Sequence, residues 1–444
     1  MDPSLVIFDR FLMGFSLSIH IVLASIGMLL PIAILLAEYI GIKRNDLHYT
    51  ALAKRLAIIF VVFFAVGTAS GMLVAVNMLL LWPKFMQLVS QVAILPFYVE
   101  VFAFFMESIF IGIYFYSWDK FKSRYAHLLA GIPIAVGAML SGALITMINA
   151  FMNVPTGFNI QAYISTGVIT GVRPFAVFWT PATGIEIFHV LTTACFAGSF
   201  IFVAYFSWML LKCSDSSEKA YYKKALQLFF ALAVITTALA VYSGVLSISN
   251  LAVLQPEKYA AIEANFHPMT NAPEVIGGIP AGNGTLKYYI DIPSMQSILL
   301  NGTASGHVPG LSSFPQSTWP PLIIHVMFDF MVLLGFGIAF FLLLMLFAAL
   351  FRRKPLESRI ILWLLIITGV IAVVMLENGW VMAELGRQPW IIYNVMLVSQ
   401  AANYSTSVLP ITILILGFYV LVIPLTLIVL KKLFRARPLA GDLK

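Results

Sequence analysis

The sequence is short of two things that a soluble protein of 444 residues normally carries. Charge is scarce: Asp, Glu, Lys and Arg make up 10% of the chain, against about 25% in soluble domains. Cysteine is nearly absent, at 2 residues. That excludes a disulfide framework and a Cys-ligated zinc or iron–sulfur site, and no CxxCH is present for covalent haem attachment. Neither a repeat of about 20–50 residues nor the inverted symmetry common in transporters is found. No basic segment precedes the first apolar run, which is itself too long for a signal-peptide core, so no cleavable leader is expected. What fills the chain is apolar: 61% of residues are hydrophobic and the mean hydropathy is +0.96. An ordinary soluble domain, a disordered chain and a nucleic-acid binder are thereby excluded. The net charge of +7 sits in short clusters between apolar runs.

Nine apolar runs fall at roughly 13–40, 56–82, 93–117, 127–152, 185–211, 225–248, 321–351, 360–380 and 408–430. Each is long enough to cross a bilayer as helix, which takes about 20 residues. None alternates as barrel strands do. The predicted fold class is an all-α integral membrane protein, a bundle of about nine transmembrane helices. Twenty of the 26 basic residues lie after runs 1, 3, 5 and 7 and in the tail, Arg352, Arg353 and Lys444 among them. The positive-inside rule then puts the N-terminus outside and the C-terminus inside. Three parts follow: helices 1–6 in residues 1–248, a long polar outer loop in 249–320, and helices 7–9 in 321–444. A loop of that length without obvious structure is usually functional or disordered.

A charge at the bilayer centre costs about 2.5–3.5 kcal/mol even on lenient scales, so ionisable residues inside the runs are candidates for function. They are His20, Glu100, Glu107, Glu186, His189, His325, Asp329 and Glu377, with Glu384 just past run 8. A membrane histidine is hydrogen-bonded packing, a proton relay or a metal ligand. His20, His189 and, about 15 Å below the start of run 7 at 1.5 Å per residue, Met331 all gather in the outer half. Haem iron accepts His alone or a His/Met pair. Glu100 and Glu107 are almost two turns apart, so they share one helix face. Such a stack suits a proton relay, which Asn149 on the next run could extend, and it equally suits interhelical contacts. In WVMAELGRQPW, residues 380–390, Arg387 follows Glu384 and Gly386, and Trp380 and Trp390 bracket the segment. Arg387 is suited to a haem propionate; the same segment also reads as an interfacial anchor.

GRQPW at 386–390, with Glu384 two residues before it, resembles the signature of subunit I of cytochrome bd, the quinol-oxidising terminal oxidase. FDRFLMGFSLSIH, LPFYVEVFAFFMESIFIGIYFYSWDKF, SGALITMINAFMNVPTGF, EIFHVLTTACFAGSF, FDFMVLLGFG and EKYAAIEANF resemble further segments of that family in order and spacing. The resemblance implies a prokaryotic cell-membrane enzyme with three haems in this chain. His189 and Met331 would ligate a low-spin haem b. His20 and Glu384 would serve a high-spin haem b and a third haem, usually haem d. Arg10, Arg387, Trp380 and Trp390 would contact cofactor. Quinol would be oxidised at Lys258 and Glu263 in the outer loop, and O2 reduced to water. Protons would come from inside through Glu107, Glu100 and Asn149, building a proton-motive force without a pump. A second membrane subunit is implied, and a small accessory subunit is allowed.

The sequence departs from the family in three places. Asp329 stands where the family usually has Arg, which would lower the low-spin haem potential unless Asp329 is protonated or paired, for instance with His325 one turn earlier. GTASGMLVAVN, residues 67–77, keeps the family's glycines but lacks the Gln or Glu expected after them. The outer loop is short beside long-loop members. Two other classes compete: a dihaem electron-transfer cytochrome b without oxygen chemistry, and a proton-coupled secondary transporter.

Overall fold

The structure, a computed structural model, describes residues 3–281, 284–351, 354–405 and 409–443. Arg352, Arg353 and Lys444, counted above among the orienting cations, lie outside the described residues. The chain opens with α1 (Pro3–Arg44), α2 (Leu47–Leu81), the short α3 (Pro83–Val92), α4 (Leu95–Tyr116), α5 (Arg124–Asn153) and the short α6 (Ile160–Thr166). It continues with α7 (Thr183–Lys212), α8 (Ser216–Leu254) and the short α9 (Pro256–Ile262). A hairpin of β1 (Glu274–Ala281) and β2 (Thr285–Ile292) and a short α10 (Met295–Asn301) complete the outer loop. Then come α11 (Ile323–Leu350), α12 (Arg359–Leu385), the two-strand turn β3 (Trp390–Ile392) and β4 (Met396–Leu397), the one-turn α13 (Val398–Ala401) and α14 (Leu409–Ala436). Among the described residues nine helices are long and apolar enough to cross a membrane: α1, α2, α4, α5, α7, α8, α11, α12 and α14.

Local chemistry explains where these helices begin. Asp46 caps α2 by accepting the His48 amide at 3.0 Å, and Lys224 from α8 reaches the same carboxylate at 2.5 Å. Pro83, Pro96 and Pro256 stand in first turns, where a missing N–H costs nothing. Consecutive helices pack as antiparallel hairpins, α1 with α2, α4 with α5 and α7 with α8, while α12 lies along α7 and α1 along α5 and α7. One apolar core, at the end bearing the basic loops, joins Leu29, Leu56, Phe200, Phe206, Phe229 and Leu365. A second, at the other end, joins Leu12, Leu81, Phe85, Phe151, Ile392 and Tyr419.

Small residues let helices approach closely in a membrane, and Gly369 of α12 is such a point. A Cβ there would come within 2.5 Å of the Ala204 Cβ and 2.8 Å of the Phe200 carbonyl oxygen. Gly369→Ala is expected to overpack this seam and cost about 1–3 kcal/mol, whereas Gly337→Ala, with nothing within 4 Å, leaves stability level or raised. Melting curves of the two variants in detergent check this, and equal melting temperatures would refute it.

Two expectations need correction. The outer loop is built, not structureless: its hairpin pairs Glu274 with Ile292, Gly277 with Tyr289 and Ala281 with Thr285, so the nearly all-helical fold includes two small antiparallel sheets. Gly277, Gly278 and Pro280 hid the strand pattern by interrupting its alternation. Glu384 does not follow its helix. The helix runs on to Leu385, because Val381–Leu385 are helix-compatible, and Glu384 sits in its last turn.

Candidate functional site

His20 on α1 and His189 on α7 are held in the same way. The His20 Nδ1 lies 2.9 Å from the Ser70 hydroxyl on α2, and that hydroxyl donates to the Gly67 carbonyl at 2.8 Å. The His189 Nδ1 lies 3.0 Å from the Ser243 hydroxyl on α8, which donates to the Ala240 carbonyl at 3.0 Å. Each serine proton being committed to a carbonyl, each serine accepts from an imidazole Nδ1–H. The lone pair is then at Nε2 in both rings, the arrangement by which a second-shell hydrogen bond prepares a metal-ligating histidine. Gly71, in the GTASGM run, makes room for the first ring: a Cβ there would lie 3.0 Å from His20 Cε1. Met331 on α11 packs against the small core of Ile262, Ile324 and Met382, and a Cβ on Gly379 would lie 3.3 Å from its sulfur.

Arg387, 3% exposed, is the hub of a second cluster. Its Nη1 donates to Asn149 Oδ1 at 2.8 Å and Asn153 Oδ1 at 3.1 Å, and its Nη2 is bonded to the Glu384 carboxylate. Asn153 in turn donates to Glu186 Oε1 at 2.8 Å. Lys258 of the outer-loop α9 folds over the GRQPW turn: its Nζ donates to the Ala383 carbonyl at 2.8 Å, and a Cβ on Gly386 would lie 2.6 Å from its Cε. A side chain at this position would force the lysine stem to shift. The Arg387 Nε and the Trp390 Nε1 are buried donors without a partner, which fits a carboxylate such as a haem propionate. Trp380 donates instead to Glu377 Oε2 at 2.9 Å. Arg10 is exposed near the start of α1, ten residues before His20.

The acid pair lines the seam between α4 and α5. Ser141 donates to Glu100 Oε1 at 2.8 Å. Glu107 is 6% exposed and faces Gly137, where a Cβ would meet Glu107 Cβ at 3.0 Å. In the outer loop, whose polar sequence suggests a solvated segment, Lys258 and Glu263 are buried, each 6% exposed. The cause is tertiary: α9 is clamped between the GRQPW turn and the end of α11, a contact between segments 125 residues apart. Burial and the neighbouring Arg387 guanidinium push the Lys258 ammonium down to about 8. Burial, with the Glu274 and Asp329 carboxylates nearby, holds the Glu263 carboxyl well above the usual range. Asp329 is paired, as one branch of the sequence reading required: its Oδ2 lies 3.6 Å from His325 Nε2 and accepts the Gly277 amide at 2.6 Å.

The sequence alone did not single out Ser70, Ser243, Asn153 and Ser141, and it marked Glu186 only as an ionisable candidate within its span. Asn153 carried a usable signal, standing one turn after Asn149 on the same face; the serines carried none, since a lone serine in a membrane helix usually bonds its own backbone.

Comparison with known proteins came to one result. The family model described as cytochrome bd terminal oxidase subunit I matches residues 8–438. The putative cytochrome bd menaquinol oxidase subunit I of Bacillus subtilis is 34% identical over 441 residues, covering 98% of this chain and 97% of that protein. The cytochrome bd ubiquinol oxidase subunit 1 of Bacillus subtilis is 28% identical over 393 residues, 85% of this chain and 81% of that one. The solved structure of bd oxidase from Geobacillus thermodenitrificans superposes with a TM-score of 0.90 at 36% identity, covering 98% of this chain and 99% of that chain.

Proposed function

The chain belongs to the family of cytochrome bd terminal oxidase subunit I, and from that premise we propose that it oxidises a membrane quinol at residues 249–320 and drives the reduction of O2 to water. It is a multi-pass bacterial membrane protein. Haem, when bound, supplies the electron transfer and the oxygen chemistry. His189 and Met331 are the pair suited to a low-spin haem b. His20, with its lone pair at Nε2, and Glu384 are the ligands for the high-spin haem b and the third haem, taken as haem d. Arg387 and Trp390 offer their unpartnered donors to propionates.

Lys258 and Glu263 bind the quinol head group and take up its protons at the outer end. Glu107 and Glu100, with Asn149, carry protons from the inner end. A second membrane subunit completes the enzyme, and orientation follows the basic loops. The observation that carries this reading is the Arg387 cluster. It brings the outer-loop lysine onto the stretch Ala383–Trp390, which carries the α12 carboxylate and two buried donors without partners among the described residues.

The test uses the whole oxidase in membranes. Lys258→Met keeps the aliphatic stem over Gly386 and removes the charge. Quinol-dependent O2 uptake is expected to fall about tenfold or more with every haem band retained. Uptake at the wild-type rate and affinity would move the quinol site elsewhere. A preparation with low-spin bands but no CO-reactive component would favour the electron-transfer cytochrome, and one without haem bands the transporter.

A further inference from the structure

Three residues that the proposed reaction leaves unused form a closed hydrogen-bonded group at the basic-loop end. Glu38 of α1, Tyr114 of α4 and His127 of α5 are 5%, 3% and 2% exposed. The Tyr114 hydroxyl donates to Glu38 Oε2 at 2.6 Å, and His127 Nδ1 lies 2.6 Å from Glu38 Oε1. His127 Nε2 lies 2.9 Å from the Tyr114 carbonyl. Both ring nitrogens thus face acceptors, a setting that holds a proton on each. The ring is also packed against Tyr114 and Trp118, with centroids 4.3 and 4.6 Å away. Outside this cage Lys54 pairs with the exposed Asp119 at 3.9 Å.

The position of the group on α4 gives it a direction. Glu100, Glu107 and Tyr114 recur every seven residues, so they share one face, each step rising about 10.5 Å. Small residues of α5 stand opposite each of them. Ser141 bonds Glu100, Gly137 abuts Glu107, and Gly131 abuts Tyr114, where a Cβ would meet Tyr114 Cε2 at 3.0 Å. The seam that holds the two glutamates therefore runs on to Tyr114. Beside it is a cavity of about 10 Å3, the volume of one water but apolar, with Ile34, Phe60, Ile111 and Ile134 around the Tyr114 ring, so it offers a water too few polar partners to be held at rest.

We propose that Glu38, Tyr114 and His127 form a relay that collects protons at the inner end and delivers them to Glu107. The inference rests on the reading of Glu107 as a proton carrier. The Tyr114 hydroxyl turns out of its bond to Glu38 and gives its proton to a water entering the seam, and Glu38, having taken a proton from His127, returns one to the Tyr114 oxygen. Each hop breaks one O–H or N–H bond and forms another, with no change of oxidation state.

Tyr114→Phe keeps the ring contacts and loses the hydroxyl alone, and Glu38→Gln keeps the size of the side chain. Both are compared with Glu107→Gln in the complete oxidase reconstituted in vesicles. The readouts are haem content, anaerobic haem reduction by quinol, and proton uptake from the inner side during O2 reduction. All three variants are expected to keep the first two and to slow the third about tenfold or more. Slow uptake in Glu107→Gln with wild-type uptake in the other two would overturn the relay and leave Glu107 in place. Wild-type uptake in Glu107→Gln would overturn both. Lost haem in Tyr114→Phe would make the group a clamp between helices and overturn the relay as well.

Discussion

His189→Ala is expected to yield an assembled oxidase with one haem fewer, no low-spin band and no quinol-driven turnover. The ring is fixed before any ligand arrives. Ser243 holds its Nδ1 at 3.0 Å, and Thr192 bonds Ser243 at 2.9 Å from the helix that carries His189. Alanine removes the only nitrogen that this arrangement presents, and Met331, a soft ligand with little affinity of its own, cannot hold the iron alone. Ser243→Ala is the graded control: it leaves the ligand but frees the ring, and second-shell losses of this kind cost about 10–100-fold in affinity. Pyridine haemochrome stoichiometry and reduced-minus-oxidised spectra read both variants. An unchanged low-spin band in His189→Ala would remove this residue from the ligand set.

The second large effect is expected at Arg387. Arg387→Leu leaves the Glu384 carboxylate and Asn153 Oδ1 without the guanidinium, leaves Asn149 Oδ1 only the Asn153 amide at 3.5 Å, and deprives Glu186 of a nearby cation. The Glu384 side chain is 37% exposed, so water screens its half of the pair; an acceptor left unsatisfied beside it costs about 1–3 kcal/mol, and the variant should melt below the wild type and lose haem on purification. Arg387→Lys keeps the charge but cannot bridge two asparagines and a carboxylate at once, and an intermediate melting temperature is expected. Melting of Arg387→Leu at the wild-type temperature would show that the cluster does not hold these helices together.

Much of this arrangement could be read in the sequence because membrane burial is written in long runs. The nine spans and the paired glutamates on one face of α4 are local in the chain, whereas the Glu384–Arg387 pair, though only three residues apart, was not read from it. What could not be read is long-range. Lys258 looked solvated because its surroundings are polar in sequence, yet α9 is buried against α12. His127 stood at the predicted edge of its span, a place that ordinarily faces water, and only the fold shows that Glu38, 89 residues earlier, comes to meet it. Asp329 was legible as an anomaly, and His325 one turn earlier as its partner. Its second partner, the Gly277 amide, was not, because it lies in a hairpin whose alternation two glycines and a proline interrupt.

The serine partners have a consequence for how the protein is made. Ser70 orients His20 across the α1–α2 hairpin, and Ser243 orients His189 across the α7–α8 hairpin. Each imidazole is therefore positioned by the very next spanning helix, and both pairings can form while the ribosome is still adding the remainder. Met331 and Glu384 emerge more than a hundred residues after His189. Helices stable on their own in the bilayer associate afterwards, so biogenesis proceeds from two pre-set halves that wait for α11 and α12. A chain truncated after α8 would expose correctly turned histidines with nothing to close over them, a species that a membrane quality-control protease has reason to remove.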